Sequence, residues 1–206
     1  MKKIVIIGAN NFQMPLIKKA KELGYETHVF AWKEGAVGAE FADFFYPISI
    51  VEKDLILEEC KKIKPDAVIS IASDLATLTV NYLADELGLT GNSLECTQIS
   101  TNKYKMRQAF QANKVSVPKF IETSKFDTNT LEQISKMNMP IIVKPTDRSG
   151  SRSITKIESL DSEKLKKAIE EAISVSFEKK TIIEEYIEGE ECSAESISYR
   201  GKHTLL

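Results

Sequence analysis

Buried β-branched runs alternate with amphipathic stretches through residues 1–90, and this alternation limits the fold more than any other feature of the chain. Lys3 to Gly8 reads as a buried strand, IVII closed by a glycine. Pro15 to Leu23 reads as a helix, with the proline in its first turn and Gly24 as its stop. Thr27 to Ala31 is the next strand. Strand, glycine turn, helix, strand is the opening of a doubly wound α/β sheet. Glu40 to Tyr46 reads as a helix or irregular turn, Pro47 to Ile50 as a short strand, and Lys53 to Lys64 as a helix with Leu55, Ile56, Cys60 and Ile63 on its inner side. Ala67 to Ile71 restores a buried strand, and Asp74 is placed to cap a helix from Leu75 to Leu87 that Gly88 closes.

Two turns of this sheet, Gly8 to Gln13 and Ala72 to Asp74, fall at the carboxyl ends of parallel strands, where open α/β sheets bind their ligands. The first, GANNFQ, lacks the second and third glycines of G-x-G-x-x-G, so it is not built for a dinucleotide pyrophosphate and counts against a nicotinamide oxidoreductase. Asn11, Gln13 and Asp74 are candidate contacts to a smaller substrate. Amides that merely satisfy turn backbone explain Asn10, Asn11 and Gln13 equally well.

Composition narrows the field by exclusion. The 206 residues are long enough for one large or two small domains, and 42% hydrophobic with 28% charged residues is ordinary for a globular protein. A net charge of −2 asks for neither nucleic acid nor an anionic membrane. Cys60, Cys96 and Cys192 show no C-x-x-C spacing, which speaks against a disulfide framework or a zinc site and fits reduced, cytoplasmic thiols. His28 and His203 are too few for a histidine metal centre or a nucleophilic triad to be a natural reading. The opening MKKIVIIGA is apolar like a leader, but Asn10 and Asn11 interrupt it, and no run approaches the ~18 apolar residues of a membrane span.

From Gly91 the composition shifts to a linker, GNSLECTQIS, after which Thr101 or Asn102 starts a helix to about Asn113. Lys103 sits in its first turn. A cation there opposes the helix dipole unless an anion lies nearby. In VSVPKFIET the proline enforces extended chain, and a second domain begins. Leu131 to Lys136 is a helix, and Pro140 to Ile157, PIIVKPTDRSGSRSITKI, is a hairpin whose first strand delivers Lys144 to a Gly/Ser loop. Consecutive N–H groups in such a loop suit phosphate oxygens, and Lys144 adds a charge beside them. A solvated turn competes with this reading on residue types alone. Ser162 to Ser174 is an amphipathic helix, Thr181 to Ile187 a strand, Cys192 to Tyr199 another, Arg200 and Gly201 a turn, and Lys202 to Leu206 a final strand.

In this order the parts resemble the ATP-grasp superfamily, most closely the carbamoyl phosphate synthetase large chain and related carboxylate-amine ligases. The segments KPTDRSGSRSITKI and IIEEYIEGEECSAE carry the resemblance. It implies an α/β architecture: a preATP-grasp, Rossmann-like parallel-sheet domain over residues 1–100, a linker helix over 101–117, an α+β lid subdomain over 118–187, and the start of a C-terminal subdomain over 188–206, leaving the ATP-grasp fold incomplete. By the same resemblance Lys103 and Lys144 reach the ATP phosphates. Ser149, Gly150, Ser151, Arg152 and Ser153 form the lid, with Arg152 either on phosphate or simply solvated. Glu184 or the Glu185 carbonyl accepts from the adenine amino group, the Glu185–Tyr186–Ile187 edge supplies the Ile187 N–H to a ring nitrogen, and Glu191 takes the ribose hydroxyls.

The resemblance further implies a ligase that uses ATP and Mg2+ to phosphorylate a small carboxylate, or bicarbonate, so that an amine displaces phosphate from the acyl phosphate; a homodimer is compatible with it. Family Mg2+ ligands come from segments after the point corresponding to Leu206. The expectation is therefore that residues 1–206 are the N-terminal part of a longer ligase and inactive alone. A bicarbonate-using synthetase or carboxylase subunit and a non-catalytic nucleotide-binding module are the rival readings.

Overall fold

The computed structural model describes residues 1–206 as two α/β units and a short hairpin. In the first, β1 (Lys3–Ile7), α1 (Met14–Glu22), β2 (Glu26–Phe30), β3 (Phe44–Tyr46), α2 (Lys53–Ile63), β4 (Ala67–Ile69) and α3 (Asp74–Glu86) build a parallel sheet of order β3-β2-β1-β4. Side chains alternate across β1, so Val5 and Ile7 meet Ile56, Cys60 and Leu83 from α2 and α3, while Ile6 meets Ile17 and Ala20 of α1 on the other face. The strand order reverses at β1, and the loops after β1 and β4 therefore lie side by side at one edge.

Four sequence expectations are corrected. The third strand is Phe44–Tyr46, not Pro47 to Ile50, because pairing to His28–Phe30 decides its register, and a 3-10 turn, Val37–Phe41, precedes it. In α2 the inner stripe is Ile56, Leu57, Cys60 and Ile63; Leu55 stays 48% exposed, being one step off that stripe. The cap of α3 is Ser73, whose side chain accepts from Ala76 N, and Asp74 is the first helical residue. The expected linker GNSLECTQIS contains α4 (Leu94–Thr101), capped by Ser93, whose side chain accepts from Cys96 N, with Thr97 buried against its neighbours.

After α5 (Lys103–Ala112) come β5 (Phe120–Thr123), α6 (Thr128–Ser135), β6 (Ile141–Pro145), β7 (Thr155–Ile157), α7 (Ser162–Val175) and β8 (Thr181–Glu185). They form an antiparallel sheet of order β5-β8-β6-β7. Ile141, Val143, Ile157 and Ile183 point to one face and bury Leu165 and Ile169 of α7 and Ile134 of α6. The final hairpin, β9 (Ser196–Tyr199) with β10 (Lys202–Leu205), is a separate two-stranded sheet with every strand residue exposed, and Arg200 and Gly201 both take positive φ in its turn. No helix is long and apolar enough to cross a membrane.

Candidate functional site

The face of the antiparallel sheet opposite α7 carries Glu122, Lys144, Lys156 and Glu184. Alternation along β6 turns Ile142 and Lys144 to that face, and alternation along β8 turns Glu184 to it. The pairs Ile142–Glu184 and Lys144–Ile182 make Lys144 and Glu184 diagonal neighbours. Lys144 Nζ donates to Glu184 Oε1. Arg107 of α5 donates to the same carboxylate, Nε to Oε2 at 2.9 Å and Nη2 to Oε1 at 3.4 Å. Burial alone pushes the Glu184 carboxyl up, but Lys144 and Arg107 outweigh it and hold the group below its ordinary range. Tyr104 packs edge-on to Phe120 of β5, seating α5 over this face.

Lys103 completes the cluster. Asn102 caps α5 through its Oδ1 on Lys105 N at 3.0 Å, while its Nδ2 donates to Glu178 Oε2 at 2.8 Å and ties the helix start to the turn before β8. Lys103 N donates to Thr146 O at 2.8 Å, and Lys103 Nζ donates to Arg148 O. Burial pushes the Lys103 ammonium down and the Lys144 charge adds to this; Asp74, Asp147 and Glu184 pull the other way without reversing it. Two lysines far apart in sequence thus share one electrostatic environment beneath a single loop. Asp147 anchors that loop by accepting from Phe177 N at 3.2 Å and Glu178 N at 2.7 Å. Beyond it Ser149, Gly150, Ser151 and Arg152 are exposed and Ser153 is half-buried, with positive φ at Gly150, Ser151 and Ser153 bending the chain back into β7.

At the far end of β8 the strand stops at Glu185, two residues short of the expected Ile187, because the next residue opposite it is Pro140: Tyr186 N donates to the Pro140 carbonyl at 2.9 Å, but proline has no N–H to return. Glu185 is tied down through its N–H to Lys119 O at 3.0 Å and its Oε1 on Asn138 N at 2.8 Å. The Ile187 N–H has no backbone acceptor, and both Ile187 and Glu191 are exposed. Lys156 Nζ sits 4.3 Å over the Tyr186 ring.

The loops of the parallel sheet divide differently from the sequence expectation. Gln13 is buried and structural: its Nε2 donates to Ile71 O at 2.7 Å and its Oε1 accepts from Asn10 N at 3.3 Å, stapling the loop after β1 to the loop after β4. Asn10 Oδ1 accepts from Phe12 N at 2.8 Å. Asn11 is exposed at the loop tip, and Asp74 borders the cleft that separates α3 from the 147–152 loop. Sequence reasoning missed Arg107 and Asp147. The one signal for Arg107 was its position four residues after Lys103, on the same helix face.

An antiparallel sheet with two lysines at the base of a hydroxyl-rich hairpin loop therefore stands beside a parallel-sheet domain. The ATP-grasp domain family matches residues 100–206, over half of the chain, and the protein belongs to that family. Formate-dependent phosphoribosylglycinamide formyltransferase of Prochlorococcus marinus subsp. pastoris is 26% identical over 154 residues, covering 73% of this chain and 39% of the relative. The carbamoyl phosphate synthase large chain of Clostridium acetobutylicum is 25% identical over 223 aligned residues, covering 100% of this chain and 20% of that protein. Among solved structures, the L-amino acid ligase of Bacillus licheniformis superposes with a TM-score of 0.77 at 21% identity, covering 100% of this chain and 49% of that one. The chain thus spans half or less of the length of these relatives.

Proposed function

We propose that this chain supplies the nucleotide-binding half of an ATP-dependent ligase that activates a carboxylate as an acyl phosphate for attack by an amine. The observation that carries the reading is the placement of Lys103 and Lys144 at the base of the 148–153 loop: Lys103 N donates to Thr146 O at 2.8 Å, two residues after Lys144, and Lys103 Nζ donates to Arg148 O. Two cations in one partly dry site are a poor arrangement for an empty surface and a good one for a polyphosphate. Ser149, Gly150, Ser151 and Ser153 close over it, and the Arg152 side chain lines the neighbouring cleft. Because the Glu184 carboxylate is taken by Lys144 and Arg107, the adenine edge falls to the backbone, the Glu185 carbonyl accepting and the Ile187 N–H donating, with Tyr186 alongside. Glu191 takes the ribose hydroxyls.

In the reaction a carboxylate oxygen attacks the γ-phosphorus, the bond to the β-bridging oxygen breaks, and ADP leaves; the amine then displaces phosphate. The chain's residues bind and align the phosphates and neutralise their charge, which is most of what phosphoryl transfer asks of a protein. The 206 residues bring together no group of three or more His, Cys, Asp or Glu side chains that could hold a metal ion. The similarity to a carbamoyl phosphate synthase large chain, over all of this chain and 20% of that protein, favours bicarbonate as the second substrate reading. Turnover with bicarbonate and no organic acid separates the two.

Calorimetric titration with MgATP, MgADP and NAD tests the nucleotide site. Adenine nucleotide binding that NAD does not share, weakened by about 1–3 kcal/mol in Lys144→Ala, is the expected result. Equal affinity of Lys144→Ala and the unaltered protein for MgATP overturns it.

A further inference from the structure

A cleft of about 530 Å³ opens between the two α/β units, with Asp74, Leu78 and Val51 on the parallel-sheet side and Arg148, Arg152 and Phe177 on the other. Small-molecule sites commonly occupy about 300–1,000 Å³ at such junctions. Its charges sort into spent and unspent groups. The Asp147 carboxylate accepts from Phe177 N and Glu178 N, Glu178 accepts from Asn102 Nδ2, and Lys105 Nζ donates to Gln98 Oε1 at 2.8 Å. Asp74 and Arg152 make no ion pair or side-chain hydrogen bond, and the Arg148 guanidinium is engaged only with the Phe177 ring, 4.3 Å from its centroid.

One unspent carboxylate therefore faces two unspent guanidinium groups across a space floored by partly exposed apolar side chains. We propose that this cleft binds a zwitterionic α-amino acid with an apolar side chain, the ammonium on Asp74, the carboxylate on Arg152, and the side chain against Val51, Leu78 and Phe177. A dicarboxylate sets a second anion against Asp74, and a sugar phosphate brings no cation to the Asp74 carboxylate and no apolar group to Val51, Leu78 and Phe177. The cleft adjoins the phosphate end of the nucleotide site, since its lining includes Asn102, the residue before Lys103, and Arg148, whose carbonyl accepts from Lys103 Nζ. That the amino acid is the carboxylate substrate rests on the ligase reading above; that it binds does not.

The test titrates the protein, by calorimetry without nucleotide, with L-leucine, L-leucinamide, 4-methylpentanoate and ribose 5-phosphate. L-Leucine binds, and the amide and the deaminated acid each bind at least about tenfold more weakly, the scale of one charge-assisted contact. Asp74→Asn weakens L-leucine by about the same factor while leaving 4-methylpentanoate within about twofold, and Arg152→Gln does the same for L-leucine against L-leucinamide. The analogue series needs no variant and decides the matter if either variant misfolds. No binding of L-leucine, no loss on removing its ammonium or carboxylate, or tighter binding of ribose 5-phosphate overturns the proposal. MgATP binding without L-leucine binding defeats this inference alone; L-leucine binding without MgATP binding defeats the nucleotide reading alone.

Discussion

Glu184→Gln removes the single negative charge that Lys144 and Arg107 share and keeps the shape of the side chain. The Glu184 side chain is 6% exposed, that of Lys144 16% and that of Arg107 24%. Taking one partner from a fully buried ion pair costs about 3–5 kcal/mol, because the remaining charge stays desolvated. Here both cations keep some water and the Gln carbonyl still accepts one N–H bond, which brings the expected loss to about 2–3 kcal/mol. The pH dependence follows from the depressed Glu184 carboxyl. A carboxylate whose folded value lies below its ordinary 4.5 contributes stability that is fully present above that value and disappears as pH falls through the lower, folded one. The difference between the two proteins is therefore full at neutral pH and narrows toward the acid limit of folding. Urea denaturation followed by far-UV circular dichroism reads it. Trp32, the only tryptophan, lies in the other α/β unit, so its fluorescence reports on the wrong sheet. A loss below about 0.5 kcal/mol at neutral pH, the scale of an ordinary surface change, or a gap that does not narrow in acid, refutes the assignment of Glu184 as the buried counter-ion.

Two further outcomes are expected. Burial, with Glu59 adding, pushes the Cys60 thiol up to about 12, whereas Cys96 and Cys192 are exposed, so iodoacetamide labels the native protein at Cys96 and Cys192 and reaches Cys60 only after denaturation, as mass spectrometry will read; rapid native labelling of Cys60 contradicts the packing of α2. Ser73→Ala removes the cap of α3 and lowers stability by about 1 kcal/mol in the same denaturation assay, while a loss confined to Asp74→Ala restores Asp74 as the cap.

Much of the architecture is legible in local pattern. IVII before Gly8 and IIV before Lys144 are β-branched runs with few alternatives to a strand, and the polar loop between Val143 and Thr155 leaves a hairpin as the simplest connection. Short elements are less legible. β3 exists because Phe44–Tyr46 finds open pairing positions on β2, and α4 because α3 receives it; neither condition is written in the segment itself, and the Ser93 cap alone is too weak a local signal to separate helix from linker. Leu55 and Leu57 differ only in helical phase, which the position of the sheet decides.

The candidate site divides along the same line. The sequence alone determined that Lys144 ends a strand at a hydroxyl-rich loop and that Lys103 opens a helix where a cation wants an anion, because both follow from chemistry within a few residues. Only the tertiary structure decided that Glu184 pairs with both Lys144 and Arg107, that Gln13 staples two loops, and that Asp74, Arg148 and Arg152 line one cleft. Each of these depends on strand register, helix docking or the meeting of two sheets. Charges separated by tens of residues acquire an interaction energy only once folding has fixed their distance and removed the water between them.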